Sequence, residues 1–262
     1  MTTAEEISYL QKTDDAYLYD NLSLSDFPYR DMESLDSGSL DSGSLDHNSI
    51  LEKANKCLVK DGVVSIKNIM NLDELEEIRK YARRVMYNGD AVDTLIKDKH
   101  KHIIFAKGRQ DMWHIDLPLT IPQIIKDIIR INMRCEYKQS STGVLTLDKN
   151  TNHTGKWHRD VLSLFTKGSH LDNDIFTRDL PDFYFTVFIP LTTSVKENGA
   201  TQILLGSHNS DNNSLSVIEG YAGDAVVMNG KTIHRSVPNM SDIDRDVLYV
   251  IYCAKWYDEE KY

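Results

Sequence analysis

The sequence predicts a mainly β protein, an antiparallel barrel or jelly roll buttressed on one side by helices. Two observations carry that expectation. After Met133 the chain breaks into short β-rich segments, CEYKQ, TGVLTL, DFYFTVFIPL, TQILL, LSVIEG, DAVVMN and VLYVIYCAKW. Asn198-Gly199, Gly206, Gly220, Gly223, Asn229-Gly230 and Pro238-Asn239 punctuate them, as turns punctuate an all-β fold. The helical patterns, in contrast, all come before this run of strands, an order that opposes alternating βαβ units.

The helical elements follow from periodicity. NLDELEEIRKYARRVM places Leu75, Ile78, Ala82, Val85 and Met86 at helical intervals, and Asn71 followed by Glu74 has capping-box spacing. Pro122 opens a second helix whose Ile124, Ile125, Ile128 and Ile129 read as core. Upstream, CLVKDGVVSIKN reads as a strand after a short helix. A domain boundary is expected near residue 48, with residues 1–48 an acidic low-complexity tail or lid and 49–262 the folded domain. The segment SLDSGSLDSGSLD cannot bury enough surface to offset its ordering entropy. Its serines alternate with acids, so a lid or a phosphorylation site is the functional alternative to a linker. The aromatic residues before it, Phe27 and Tyr29 among them, could dock on the body.

Composition narrows the function. Thirty basic against forty acidic residues give a formal charge of -10, which opposes a nucleic-acid partner. Cys57, Cys135 and Cys253 show no metal-finger spacing and no disulfide framework, which suits a reducing compartment. The acidic start MTTAEEISYL resembles neither a secretion signal nor a transit peptide, and no apolar run is long enough for a bilayer. A cytoplasmic protein acting on a small molecule, away from membranes, is expected.

The chemistry is expected at the mouth of the barrel, where two histidines and a carboxylate could hold a metal and leave positions open. Alternate residues on a strand end point to the same side, so H-x-D is the expected first pair. The motif alone is weak, because nine histidines among 40 acids yield on the order of one H-x-D/E by chance. Three occur: His114-x-Asp116, His158-x-Asp160 and His170-x-Asp172. His114 precedes the β region, with no barrel to line unless it reaches the mouth from upstream. His170 lies in a polar, turn-rich stretch. His158, in GKWHRDV directly after the first strand candidates, is the best placed.

His234, 76 residues further on in GDAVVMNGKTIHRSVPN, is the candidate third ligand. Arg245 follows it by 11 residues at the start of an apolar strand. A cation that opens a buried strand calls for an anion, and a guanidinium matches a carboxylate.

These residues resemble the phytanoyl-CoA dioxygenase family of iron(II)/2-oxoglutarate oxygenases. LVKDGVVSIKN with its following helix, WHRD, ENGATQILLGSH and GDAVVMNGKTIHRSVPNMSDIDR carry the likeness in order, from about residue 56 to the C-terminus. The resemblance implies a double-stranded β-helix, a cupin-like jelly roll, in which His158, Asp160 and His234 bind Fe(II). It implies that Arg245 pairs with the distal carboxylate of 2-oxoglutarate beside Ser236, with Ser140 or Ser141 as a further co-substrate contact. O2 would then be consumed, 2-oxoglutarate converted to succinate, and an unactivated C–H bond oxidised by hydroxylation, desaturation or oxidative ring closure. An Asp at position 160 argues against halogenation, because halogenating relatives carry Gly or Ala there. Leu205 stands where the family often has Pro, and the chain ends EEKY without a peroxisomal address, so phytanoyl-CoA itself is not expected as substrate.

Candidate substrate contacts are Arg109, Trp113, Lys156 and Trp157, with His114, Tyr184 and Phe185 as further possibilities. Each has a plainer reading as a packing or solvated residue. Arg109 and Lys156 would favour a small carboxylate-bearing metabolite, with specialised biosynthesis as the expected setting. Two other classes stay open: a cupin-like metalloenzyme that works without 2-oxoglutarate, and a non-catalytic barrel acting as a binding module.

Overall fold

The computed structural model describes residues 27–36, 47–87, 110–114, 119–152, 154–161, 178–211 and 213–257. Within them two antiparallel sheets face each other. The strands are β1 (Ser34–Asp36), β2 (Val63–Lys67), β3 (Gln110–His114), β4 (Tyr137–Leu147), β5 (Tyr184–Pro190), β6 (Gln202–Leu205), β7 (Ser214–Val217), β8 (Ala225–Asn229), β9 (His234–Arg235) and β10 (Arg245–Ala254). The larger sheet runs β1-β2-β8-β5-β10-β4-β3, and the smaller one β7-β6-β9. All pairings are antiparallel except that of β1 with β2. This is the jelly roll expected.

Three helices precede the main body of strands, α1 (His47–Asp61), α2 (Leu72–Tyr87) and α3 (Gln123–Met133). Asn71 accepts the Glu74 amide at 3.0 Å, the cap that the spacing predicts. Leu75, Ile78 and Ala82 of α2 and Ile124, Ile125, Ile128 and Ile129 of α3 are buried, while Ile131 of α3 is exposed. On α2, Arg79 and Arg83 reach Asp246 of β10, with Arg83 Nη2 2.7 Å from Oδ1. Successive residues of a strand point to opposite faces, so this contact puts α2 on the outer face of the larger sheet and turns Arg245 inward. No described helix is long and apolar enough to cross a membrane.

Sequence and structure part in several places. CEYKQ and TGVLTL are one strand, β4, carrying a bulge at Ser140: Ile251 pairs with Ser141 and Tyr252 with Gln139. The start of the repeat does not lie in a tail. Ser34–Asp36 is a strand against β2, and Tyr29 bridges Leu215 of β7, so residues 27–36 strap the two sheets together. An Arg30–Asp61 ion pair, the latter carboxylate buried, fastens the strap to α1. Local composition could not show this, because a three-residue edge strand depends on backbone bonds to its neighbour. Finally, His114 ends β3, which pairs with β4 inside the larger sheet; a segment upstream of the β region thus has a barrel to join.

Candidate metal centre

The smaller sheet is extended by irregular segments, residues 151–152 and 154–160, that run antiparallel to residues 230–239. His158 and His234 exchange both backbone hydrogen bonds, at 2.9 Å each, and the Asp160 amide donates to the Gly230 carbonyl at 2.9 Å. Directly opposed residues project from the same face, and Asp160 follows His158 by two, so all three side chains converge. One donor atom from each of His158, Asp160 and His234 can be chosen so that all lie within 4.8 Å of one another. His234 Nε2 is 3.3 Å from Asp160 Oδ1, and the two imidazole centroids are 4.3 Å apart. Gly230, the backbone partner of Asp160, is itself tightly packed: a Cβ there would strike the Tyr184 ring and Val161.

Each candidate donor is also aimed. His158 Nδ1 is 3.0 Å from the Lys156 carbonyl, and His234 Nδ1 is 3.0 Å from the Thr232 carbonyl. A carbonyl only accepts, so both Nδ1 atoms carry a proton, which leaves the two Nε2 atoms as the ones a metal would take. Thr186 Oγ1 donates to Asp160 Oδ2 at 2.7 Å. Behind the site, the Arg159 guanidinium donates to the Ser207 carbonyl at 2.9 Å, while the Ser207 hydroxyl accepts the Ile233 amide at 2.8 Å. One turn, Gly206 to His208, therefore braces both ligand-bearing segments.

Protonation matches this arrangement. Burial, with His234 beside it, pushes His158 down to about 4, so it is neutral at physiological pH. Burial would raise Asp160, but His234 and the other partners hold it below its usual value. Burial would lower His234, yet the Asp160 carboxylate outweighs that and raises it. The donors form the neutral-imidazole and carboxylate set that suits a divalent metal, with His234 shedding its proton on binding. By number, chemistry and orientation, the residues present fit iron.

Arg245 stands at the start of β10 and is 3% exposed. Its Nε is buried with no hydrogen-bond partner, and among the described residues no carboxylate forms an ion pair with it. Burial pulls its pKa down to about 10. It faces a cavity of about 20 Å³ walled by Leu145, Phe188, Ile218, Val226 and Val247, with Ser194 and Thr201 as the polar side chains. That volume admits one small polar group.

The other expected contacts divide. Ser236 lies two residues past His234, its hydroxyl against Gly155, and is not among the residues around the Arg245 cavity. Ser140 occupies the bulge, whereas Ser141 shares a face with Ile251 and Thr186. Trp157 is turned away from the ligands: it is 3% exposed, packs with Leu204 and Ile233, and has the Arg235 guanidinium 4.5 Å from its ring. That is the packing role, so Trp157 does not reach the centre. The Lys156 side chain is exposed, and its carbonyl orients His158. Arg109, Asp116, His170 and Asp172 lie outside the described residues, as do the side chains of Trp113 and His114. Tyr184 and Phe185 are buried on β5. Thr186, Ser194 and Thr201 were not anticipated. The signal for Thr186 was the one aliphatic hydroxyl within the otherwise apolar and aromatic run FYFTVFIP.

The profile of the phytanoyl-CoA dioxygenase (PhyH) family matches residues 58–247, and the chain belongs to that family. Among curated proteins it is 27% identical over 214 residues to the dioxygenase olcK of Penicillium canescens, covering 74% of this chain and 68% of that one. It is 23% identical to the dioxygenase FUM3 of Gibberella moniliformis, covering 77% and 71%. Among solved structures, the non-haem α-ketoglutarate-dependent epimerase SnoN from nogalamycin biosynthesis superposes with a TM-score of 0.56 at 15% identity, covering 79% of this chain and 83% of its own. HygX of Streptomyces hygroscopicus, solved with nickel, 2-oxoglutarate and hygromycin B, gives 0.55 at 15% identity, covering 79% and 88%. The protein is thus a dioxygenase of the PhyH family, built like the iron- and 2-oxoglutarate-dependent enzymes of secondary-metabolite biosynthesis.

Proposed function

We propose that this chain is an Fe(II)/2-oxoglutarate-dependent dioxygenase that oxidises an unactivated C–H bond of a small metabolite in specialised metabolism, with His158, Asp160 and His234 as the metal ligands. The observation that carries the proposal is a pairing. A two-histidine, one-carboxylate cluster shares a barrel with a buried guanidinium that faces a cavity and has no ion-pair partner among the described residues. A buried charge without a counter-ion is costly, so a protein that keeps one has an anionic ligand to offset it. The burial of Arg245 favours 2-oxoglutarate dependence over a cupin-like metalloenzyme that works without it, for which a surface-facing Arg245 would speak.

In this reading the Nε2 atoms of His158 and His234 and Oδ1 of Asp160 hold iron. Arg245 takes the distal carboxylate of 2-oxoglutarate, assisted by the hydroxyls of Ser194 and Thr201. The apolar walls, Leu145, Phe188, Val226 and Val247, exclude water and strengthen that charge pairing. When bound, iron and 2-oxoglutarate supply the activation of O2 and the oxidising power, and the protein supplies position. Support for specialised metabolism comes from the relatives. A carboxylate on the substrate rests on Arg109 and Lys156 alone, and the exposed Lys156 side chain supports it weakly. Substrate-free turnover tests the proposal: iron(II) and O2 should drive slow release of succinate from 2-oxoglutarate, abolished in Arg245→Ala. Succinate release that survives that substitution unchanged contradicts it.

A further inference from the structure

β5 reads Tyr184 to Pro190, and Thr186 is the one hydroxyl-bearing aliphatic side chain in an otherwise apolar or aromatic strand. It is buried, and a buried hydroxyl costs stability unless bonded, so valine of nearly the same shape would pack better. Its described partner is Asp160 Oδ2, at 2.7 Å. The other oxygen, Oδ1, is the one that lies 3.3 Å from His234 Nε2 among the metal donors. The carboxylate is therefore held edge-on, one oxygen toward the site and one tied back to the sheet wall.

We infer that Thr186 is a positioning residue that keeps Asp160 a one-oxygen ligand. The inference rests on the metal-centre reading above. A facial triad leaves about three positions on a six-coordinate metal, and the co-substrate and O2 need all of them. A carboxylate free to rotate can bind through both oxygens and take one. The Thr186 hydroxyl occupies Oδ2 and fixes the carboxyl plane, so the last position stays open. Ile251 and Met228, paired with Thr186 on either side, offer no replacement donor.

Manganese(II) bound to the full chain, without 2-oxoglutarate, makes this measurable through water-proton relaxation, which counts exchangeable waters on the metal. The wild type should hold about three waters, and Thr186→Val about two, since one position of the triad's open face is lost. Metal affinity should fall by no more than the roughly 10–100-fold that loss of a ligand's own hydrogen-bond partner costs, and Thr186→Ser should restore the water count. Thr186→Ala, the second variant lacking the hydroxyl, should match Thr186→Val should the latter fold poorly. A wild-type water count in a folded hydroxyl-free variant overturns the inference, as does a Thr186→Ser protein that behaves like the valine variant. A wild type that fails to bind manganese(II) overturns the metal centre itself, which is a separate outcome.

Discussion

The two ends of the barrel interior treat their polar groups in opposite ways. Around His158, Asp160 and His234 each side chain is both a candidate metal donor and a hydrogen-bonding partner of the scaffold: two backbone carbonyls take the Nδ1 protons and Thr186 takes Oδ2. At the Arg245 cavity the guanidinium is buried in apolar walls, with its Nε unpartnered. The first region is pre-organised and nearly neutral, ready for a cation at little cost. The second carries an uncompensated charge whose cost a ligand must offset. In the proposed reading, the difference teaches that one barrel can suit two ligands of opposite charge, one fitted by geometry and the other by an electrostatic deficit.

That contrast can be broken by testing the ends separately. His234→Ala should weaken metal binding by more than the roughly 10–100-fold that outer-shell changes cost. Arg245→Ala should leave metal affinity within a few-fold, yet weaken 2-oxoglutarate by on the order of 100-fold, since truncating one partner of a buried charge pair costs about 2–5 kcal/mol. Calorimetric titrations of both variants with each ligand decide it; equal loss of both ligands in Arg245→Ala would make that residue structural.

Stability sharpens the same comparison. Replacing buried charges by apolar groups of similar volume often stabilises a fold by about 1–4 kcal/mol, so Arg245→Met should raise the denaturation midpoint of the ligand-free chain. Destabilisation would mean that the guanidinium is already paired. Thr201→Val tests the polar lining more gently. Losing a hydrogen bond to a charged ligand group costs about 1.5 kcal/mol, and 2-oxoglutarate binding should weaken about tenfold without a change in metal affinity.

The smallest effect is a pH dependence at the metal end. Burial depresses His158 from 6.5 to about 4. A group depressed in the folded state contributes stability that is present above its unfolded value and lost as pH falls through the folded one. The metal-free chain should therefore lose stability between pH 6.5 and 4, and His158→Asn should flatten part of that slope. The partly accessible edge of His158 keeps the effect modest. Denaturation midpoints across this window, compared between the two proteins, measure it.

The jelly roll was legible because its strands alternate with turn residues and its helices carry capped, periodic apolar faces. The same reading lost β1 and β9, which are two or three residues long and exist through backbone pairing that no local pattern reveals. At the site, His158, Asp160, His234 and Arg245 were candidates from their place in the chain and from a cation that opens an apolar strand, and the family resemblance implied their roles; the structure brings the first three together. Thr186, Ser194 and Thr201 were not singled out, because their importance comes from β-sheet register and from the fold of separate strands around one cavity. Trp157 shows the converse error: adjacent to a ligand in sequence, it faces the other way, because strand neighbours alternate.

The most direct test of the central claim is to add iron(II) and 2-oxoglutarate to the metal-free protein under anaerobic conditions and record the visible spectrum. A weak charge-transfer band should appear in the wild type and vanish in His158→Ala and His234→Ala. No band in the wild type, or one that persists unchanged in both variants, would contradict it.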